Sequence, residues 1–186
     1  MTQSEFLKSI RQYFWSQNFT EIEVSYLNSS LPLEPNLYSF KTTWKHKNKN
    51  FYLPTSPEFA LKKFLATNRK NCFAISHCFR DLEDEGPNHT PEFLMLEWYE
   101  IDKNLQDLKS STKKFINILL KIDFIDFVLP TDLPQNEPDF NQFFLNEIEP
   151  NLPKDKAVFI TGYPAFLSPL AQTNQRFELY INGIEI

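Results

Sequence analysis

Glycine is scarce in this chain of 186 residues, which contains only Gly86, Gly162 and Gly183. Loops that hold phosphates with backbone N–H groups need several glycines at fixed spacing, so the sequence contains neither a P-loop nor a dinucleotide-binding loop. A nucleotide bound by this chain would therefore be held by side chains. Arginine would contact the phosphates, and an aromatic ring would stack on the base.

Cysteine and histidine are scarce as well. The two cysteines, Cys72 and Cys78, are too few for a disulfide framework, and we expect them to be buried as small apolar side chains. The three histidines, His46, His77 and His89, are scattered along the chain rather than spaced as in a zinc site. If the chain binds a metal ion, we expect carboxylates to be the ligands.

The chain also lacks an excess of positive charge and any long apolar run. Its net charge is −5 and its pI is about 5.3, which argues against the broad basic surface of a nucleic-acid-binding protein. No apolar run approaches the roughly 18–20 residues that cross a bilayer, and the N-terminus has no apolar signal core. The sequence therefore predicts a cytoplasmic protein.

The stretch from Cys78 to Tyr99 carries the most unusual pattern. It contains two apolar segments joined by an acidic, turn-rich loop, with Arg80 on the first segment and Glu97 on the second. If the segments pair as an antiparallel hairpin, these two ionic groups can share one face, because side chains alternate along a strand. Such a face suits a substrate that carries both charges. The alternative is a cross-strand ion pair on a solvated surface.

Periodicity predicts helices and strands on both sides of this hairpin. A helix is predicted over residues 4–18, with Phe6 and Trp15 on a wide apolar face, and a covering helix over 105–119, with Lys109 on its outer side. A short helix is predicted over 139–147. Strands are predicted over 19–24, 37–44, 50–53, 71–79, 157–161 and 176–181, the last turning back at Asn182-Gly183, while 124–129 fits a strand or a helix end.

Two shorter patterns predict a helix start and an exposed basic turn. Ser56, Pro57 and Glu58 form a helix start, in which Ser56 caps, Pro57 takes the first helical position and Glu58 favours the positive end of the dipole. The basic turn at residues 45–49 could contact a phosphate backbone. The favoured interpretation is a solvated hairpin tip whose lysines protect an exposed edge.

Three blocks of the sequence resemble the catalytic core of class II aminoacyl-tRNA synthetases. The stretch FRDLEDEGPNHTPEFLMLEWYE resembles motif 2 of the lysyl branch of that family, and TSPEFALKKFLA and RFELYINGIEI resemble two further blocks in the same order. The resemblance runs from about Phe6 to the last residue. It implies an α+β fold with an antiparallel sheet flanked by helices. It also implies one partial catalytic domain over 1–186, with the motif 1 region at about 4–27, motif 2 at about 73–100 and no motif 3.

The resemblance assigns roles to three residues that would bind ATP. Arg80 matches the catalytic arginine that holds both the amino-acid carboxylate and the α-phosphate. His89 matches a loop histidine near the outer phosphates, and Phe93 matches the ring that stacks on adenine. Where the family has a glutamate two residues after the arginine, this chain has leucine, so Glu83 or Asp81 would take that ATP contact.

Five further residues match the family positions for the amino acid and the metal. Glu58, Glu97 and Tyr99 match positions that shape the lysine pocket, with the carboxylates directed toward the substrate amines. Glu178 and Glu185 match the pair that holds the Mg²⁺ bridging the phosphates, and oxygen ligands suit that hard cation.

The activity implied by the resemblance is ATP-dependent activation of lysine to an aminoacyl adenylate. Elongation factor P would be the acceptor and tRNA the alternative acceptor, since no anticodon-binding domain precedes the core in this sequence. ATP and Mg²⁺ would be the cofactors, and a homodimer is expected. The opposing hypothesis is a catalytically inactive, synthetase-like remnant that dimerises or binds a partner.

Overall fold

The structure, a computed structural model, describes residues 1–31, 37–82, 86, 89–168 and 171–186. Within these ranges the chain forms two compact units, Met1–Asp102 and Lys103–Ile186. Each unit combines helices with a mainly antiparallel sheet, so the expected α+β class is confirmed. No helix in the described part of the chain is long and apolar enough to cross a membrane.

The first unit is built on a three-stranded sheet. Its strands are β1 (Thr20–Glu21), β4 (Cys72–Phe79) and β5 (Glu92–Tyr99), in the order β1-β4-β5. The β4–β5 pair is antiparallel, as the sequence predicted, while β1 runs parallel to β4. The predicted strand 19–24 is shorter than expected, although Ile22 and Val24 do pack on the core as their alternation indicated.

Helix α1 (Gln3–Ser16) covers one face of this sheet and begins at a capping box formed by Thr2 and Glu5. Its Phe14 is only 1% exposed and stacks on Phe73 of β4, with 4.7 Å between ring centroids. The wide apolar face predicted for this helix was wrong at two positions, because Phe6 and Trp15 are 38% and 53% exposed. The buried stripe is narrow, since Ile10 and Phe14 alone are fully buried, one turn apart.

Helix α2 (Glu58–Asn68) covers the opposite face of the sheet, where Leu61 packs on the fully buried side chains of Cys72 and Ala74. The helix begins one residue later than predicted. Pro57 is the N-cap rather than the first helical residue, because the backbone N–H of Leu61 donates to the Pro57 carbonyl at 3.2 Å. Ser56 Oγ accepts from the Glu58 N–H at 3.3 Å, so a hydroxyl does serve this helix end.

A separate two-stranded hairpin connects β1 to α2. It consists of β2 (Lys41–Trp44) and β3 (Lys49–Tyr52), paired antiparallel. β2 is shorter than the predicted strand 37–44, whereas β3 has the predicted length and begins one residue before the predicted strand 50–53. Between them Lys45–Lys47 form a 3-10 turn, which Asn48 closes in the left-handed conformation at φ 48°. Every residue from 41 to 50 is exposed.

The second unit has a four-stranded sheet in the order β6-β7-β8-β9. Its strands are β6 (Phe124–Val128), β7 (Ala157–Thr161), β8 (Phe177–Ile181) and β9 (Ile184–Glu185), and only the β6–β7 pair within it is parallel. The predicted Asn-Gly hairpin is confirmed: Asn182 and Gly183 have φ of 56° and 75°, as a tight two-residue turn requires.

Helical segments pack on this second sheet. One face packs on α4 (Glu137–Phe143) and the π-helical turn that follows it (Phe144–Ile148), which together replace the predicted helix 139–147. Helix α3 (Leu105–Leu119) has the predicted bounds. The outward placement of Lys109 was wrong, because its side chain is buried, bonds Asp126 at 2.5 Å and lies 5.1 Å from the centroid of the Phe159 ring.

Candidate active site

One face of the β4–β5 hairpin gathers most of the candidate residues. The register pairs Cys78 with Phe93 and Ala74 with Glu97, and the Arg80 N–H donates to the Pro91 carbonyl at 3.0 Å, which extends the pairing to Arg80. Because side chains alternate, Arg80, Phe93, Glu97 and Tyr99 share a face, as the sequence predicted for the two ionic residues. Glu97 lies opposite Ala74, so it and Arg80 are not a directly opposed cross-strand pair.

The two ends of this face have different chemistry. Arg80 stands six positions beyond Ala74 on β4, so the backbone levels of Arg80 and Glu97 are about 20 Å apart along the strand. Their charged groups are closer together than this, because both act on the thiol of Cys78 between them. Between these levels the face carries the small side chains of Ser76 and Cys78 and the longer Met95. Ser76 and Cys78 are 2% and 0% exposed. We refer to this strip of the hairpin face, with a cation at one end and carboxylates at the other, as the trough.

Three residues meet at the carboxylate end of the trough. The Tyr99 hydroxyl hydrogen-bonds Glu97, and its pKa is raised well above its ordinary value by burial first, then by the negative charges of Glu97 and Glu58. Tyr99 is therefore a neutral hydrogen-bond donor at any physiological pH. Glu58 also contacts Lys62 one turn along α2. This end has two carboxylates, an arrangement that suits an amino acid carrying two ammonium groups.

The cationic end pairs Arg80 with an aromatic ring. The guanidinium carbon of Arg80 lies 5.2 Å from the centroid of Phe93, a cation–π contact that fixes both side chains relative to each other. Both residues are half-buried, so each keeps an accessible edge. A planar donor fork beside an apolar ring is the combination expected for a phosphate next to an aromatic base.

The loop between the two strands is described only in part. Gly86 and His89 exchange two backbone hydrogen bonds of 3.3 and 3.2 Å, which places the exposed His89 beside the return turn. Glu83, assigned to ATP by the resemblance, lies outside the described residues. Asp81, its alternative, accepts from the Leu82 N–H at 2.9 Å and so has one carboxylate oxygen engaged locally.

The two cysteines lie on the same face of the hairpin as Arg80, with Cys72 opposite Tyr99 and Cys78 opposite Phe93. Both are buried, as the sequence predicted. Burial, supported by the charge of Glu97, raises the pKa of Cys72 to about 11. Burial raises the pKa of Cys78 to about 12, against the opposing influence of Arg80. Neither thiol is a nucleophile at neutral pH, because only the thiolate is reactive.

The predicted metal ligands, Glu178 and Glu185, share a face of the second sheet. Tyr180 pairs with Glu185 across β8–β9, and Glu178 stands two residues before Tyr180, so all three side chains project from the same side. Burial raises the pKa of Tyr180 above its ordinary value, and both carboxylates contribute to that rise. The two carboxylates are therefore diagonal neighbours.

Glu178 is held by two further side chains. Its side chain is 13% exposed, one oxygen accepts from the buried Tyr163 hydroxyl, and the other contacts Arg176. Arg176 also donates to the Leu167 carbonyl at 2.7 Å and lies 4.8 Å from the centroid of the Tyr163 ring. These contacts fix the orientation of Glu178.

The carboxylate pair fits a magnesium ion by its chemistry. Glu178 and Glu185 offer oxygen ligands on one face, and each oxygen of Glu178 keeps a second lone pair beyond the one it uses for Arg176 or Tyr163. No group of three or more potential metal-binding side chains occurs among the residues whose structure is described. Mg²⁺ accepts such a site, because it is typically held by one or two carboxylates together with substrate phosphates and water.

Sequence reasoning missed two residues beside Glu178. Tyr163 lies beside Glu178 only because the fold returns β7 next to β8. Arg176 stands two residues before Glu178, so alternation along the strand places both on the same side, and this spacing was the available signal. No spacing rule in the sequence links Tyr163 to Glu178.

The chain belongs to the class II tRNA synthetases (D, K and N), whose family model matches residues 1–186.

Within that class, the chain is similar to proteins named elongation factor P–(R)-β-lysine ligase. The protein of Buchnera aphidicola subsp. Acyrthosiphon pisum (strain APS) is 30% identical over 227 aligned residues, covering 98% of this chain and 70% of the relative. That of Buchnera aphidicola subsp. Baizongia pistaciae (strain Bp) is 29% identical over 217 aligned residues, covering 95% and 67%. The protein of Proteus mirabilis (strain HI4320) is 25% identical, covering 100% and 70%.

Proposed function

We propose that this chain activates a lysine-type amino acid with ATP and transfers it to elongation factor P. The observation that carries this proposal is the trough on the β4–β5 hairpin, with Arg80 and Phe93 at one end and Glu58, Glu97 and Tyr99 at the other. An amino acid with one carboxylate and two ammonium groups matches that order of charges. The names of the relatives support both the amino acid and the acceptor.

The first step would be attack of the amino-acid carboxylate on the α-phosphorus of ATP. A bond forms between a carboxylate oxygen and phosphorus, the bond from phosphorus to the bridging oxygen breaks, and pyrophosphate leaves. Arg80 would bind the carboxylate and the α-phosphate and offset the negative charge that accumulates between them. Phe93 would stack on adenine. The contribution of the chain is positioning and charge neutralisation.

Glu178 and Glu185 would hold the magnesium ion, which neutralises phosphate charge when it is bound. Tyr163 and Arg176 would keep Glu178 in one orientation, as they do in the described structure. One catalytic domain over residues 1–186, a homodimer and a cytoplasmic location remain predictions of the same proposal.

The carboxylate end would also choose between related amino acids. Glu58 and Glu97 face Tyr99 from different elements, α2 and β5, so they can receive two ammonium groups at different positions along a substrate. In (R)-β-lysine one ammonium is displaced by a carbon atom relative to α-lysine. Because the relatives are named for (R)-β-lysine, we propose it as the preferred substrate.

Amino-acid-dependent ATP–pyrophosphate exchange tests this function. We expect exchange with (R)-β-lysine or α-lysine in the presence of Mg²⁺, and loss of about a thousandfold or more in Arg80→Ala, as for removal of a main electrostatic stabiliser. Arg11→Ala is the matched control, because Arg11 pairs with Glu21 at 2.8 Å on the α1 side of the sheet. Absence of exchange with every amino acid would favour the inactive remnant, and transfer to tRNA alone would refute the proposed acceptor.

A further inference from the structure

The β2–β3 hairpin is a basic segment in an otherwise acidic chain. Residues 37–57 contain four lysines and one histidine but no aspartate or glutamate, whereas the chain as a whole has a net charge of −5. Three of the five basic residues, Lys45, His46 and Lys47, lie in the 3-10 turn beyond the last strand pair, Trp44 with Lys49. Lysines that only protect a sheet edge would stand on the strands themselves.

The tip of this hairpin, Trp44 to Lys49, also exposes an aromatic ring. Trp44 is 51% exposed, and its ring centroid lies 6.5 Å from that of His46. Lys49 extends over Phe51 on the same face, 5.0 Å from the ring centroid. The tip therefore combines an exposed tryptophan, a residue type enriched at binding hot spots, with lysines whose charge attracts an acidic partner.

The base of the hairpin is anchored beside Arg80. The N–H of Phe79 donates to the Pro54 carbonyl at 2.8 Å, and the N–H of Asp81 donates to the Tyr38 carbonyl at 2.8 Å. These bonds flank Arg80 on both sides. Asn28 and Tyr52 add two backbone hydrogen bonds of 3.0 and 2.9 Å. The hairpin is therefore a firmly held projection that starts at the cationic end of the trough.

The length of the hairpin indicates the size of what it would contact. Strands of four residues extend about 13 Å from base to tip. That distance exceeds the length of an extended lysine, so an amino acid bound beside Arg80 does not reach the tip. A macromolecule approaching Arg80 would meet it. An extended nucleic acid is disfavoured, because the remainder of the chain is more acidic than the whole and would repel its phosphates.

We propose that the hairpin tip, Trp44 to Lys49, docks on an acidic surface of the protein that receives the activated amino acid. This inference rests on the proposed function for the identity of the acceptor, elongation factor P. The tip would orient the acceptor so that its modified side chain points toward Arg80, and it would raise the association rate by electrostatic attraction. Binding should accordingly weaken as salt is added.

Direct binding measurements test the proposal without requiring catalysis. Fluorescently labelled elongation factor P from the same organism is titrated with the whole chain at low and at physiological ionic strength. The double variant Lys45→Glu/Lys47→Glu should raise the Kd about tenfold, equivalent to about 1.4 kcal/mol, and should flatten the salt dependence. Trp44→Ala should raise the Kd without changing the salt dependence. Thermal unfolding of each variant confirms that it is folded.

The matched control is Lys8→Glu/Lys70→Glu, which changes the net charge equally at exposed positions of α1 and of the segment after α2. It should leave the Kd within about twofold of wild type. Equal weakening by both double variants, undetectable binding by the wild-type chain, or tip-dependent binding of a single-stranded RNA in place of elongation factor P would each overturn the proposal. Failure of pyrophosphate exchange together with tip-dependent binding would instead refute only the proposed function.

Discussion

Replacement of Glu97 by glutamine gives the sharpest test of the carboxylate end of the trough. The substitution keeps the shape of the side chain and an oxygen that can accept from Tyr99, but it removes the negative charge. Glu97 is half-buried and faces the side of β5 that also carries Tyr99. Any change in ligand binding should therefore come from the charge and not from repacking.

The expected size follows from the type of contact that is lost. A hydrogen bond to a charged partner contributes about 1.5–3 kcal/mol, so the Kd for lysine or (R)-β-lysine should rise about tenfold to a hundredfold. Calorimetric titration with the amino acid alone measures this change, and the concentration dependence of pyrophosphate exchange measures it again as KM. The substitution should also lower the pKa of Cys72, because Glu97 contributes to its rise to about 11.

Glu92→Gln is the control for this experiment. Glu92 lies on the same strand but on the opposite face, with a side chain 57% exposed and 2.8 Å from His77. Its replacement should change the amino-acid Kd less than twofold, in keeping with the small contribution of exposed ion pairs. Equal effects of the two substitutions, or an unchanged Kd in Glu97→Gln, would refute the assignment of Glu97 to the substrate amines.

Three further predictions concern the stability of the chain. Asp126→Asn should lower the free energy of unfolding by about 1–3 kcal/mol, because it removes the carboxylate that pairs with the buried Lys109 ammonium. Lys109→Met should lower it by less, because no unpaired charge remains. Equal losses in urea unfolding would contradict this ion-pair argument. The pKa values of Cys72 and Cys78 are about 11 and about 12, against about 8.5 for a cysteine in an unfolded chain. Both thiols should therefore resist alkylation at pH 8. Their protonated forms should stabilise the fold fully below pH 8.5, and this stability should be lost as the pH rises toward 12. Labelling kinetics and urea titrations at pH 8 and at high pH decide this. Phe14→Ala should cost about 3–5 kcal/mol in urea unfolding, since the ring is fully enclosed against Phe73; a loss below 1 kcal/mol would contradict that packing.

The parts of the fold that sequence could predict are those governed by local periodicity. Alternation along residues 78–99 predicted the hairpin and the shared face of Arg80 and Glu97, because the register of a strand pair determines the face on which each side chain lies. The Asn182-Gly183 turn was predictable for a similar reason, since few residue pairs adopt positive φ twice in succession.

Sequence reasoning failed where a distant element decides the environment of a residue. Lys109 has the spacing of a solvent-facing lysine, but β6 brings Asp126 to it, and the Lys109 side chain is buried while that of Asp126 stays 64% exposed. Trp15 has the spacing of a core residue, yet it is exposed. Only Phe14 and Ile10, one turn earlier on α1, are buried against the sheet. The orientation of Glu178 depends on Tyr163, fifteen residues earlier in the chain.

The parallel pairing of β1 with β4 has a consequence for the order of folding. Thr20 pairs with Cys72, so the chain must close a long loop, containing the β2–β3 hairpin and α2, before this contact forms. The β4–β5 hairpin closes a much shorter loop, and short loops close faster and at lower entropic cost. We therefore expect the substrate trough to form early in folding and α1 to dock late, so that the Phe73 side of the sheet is the last surface removed from water.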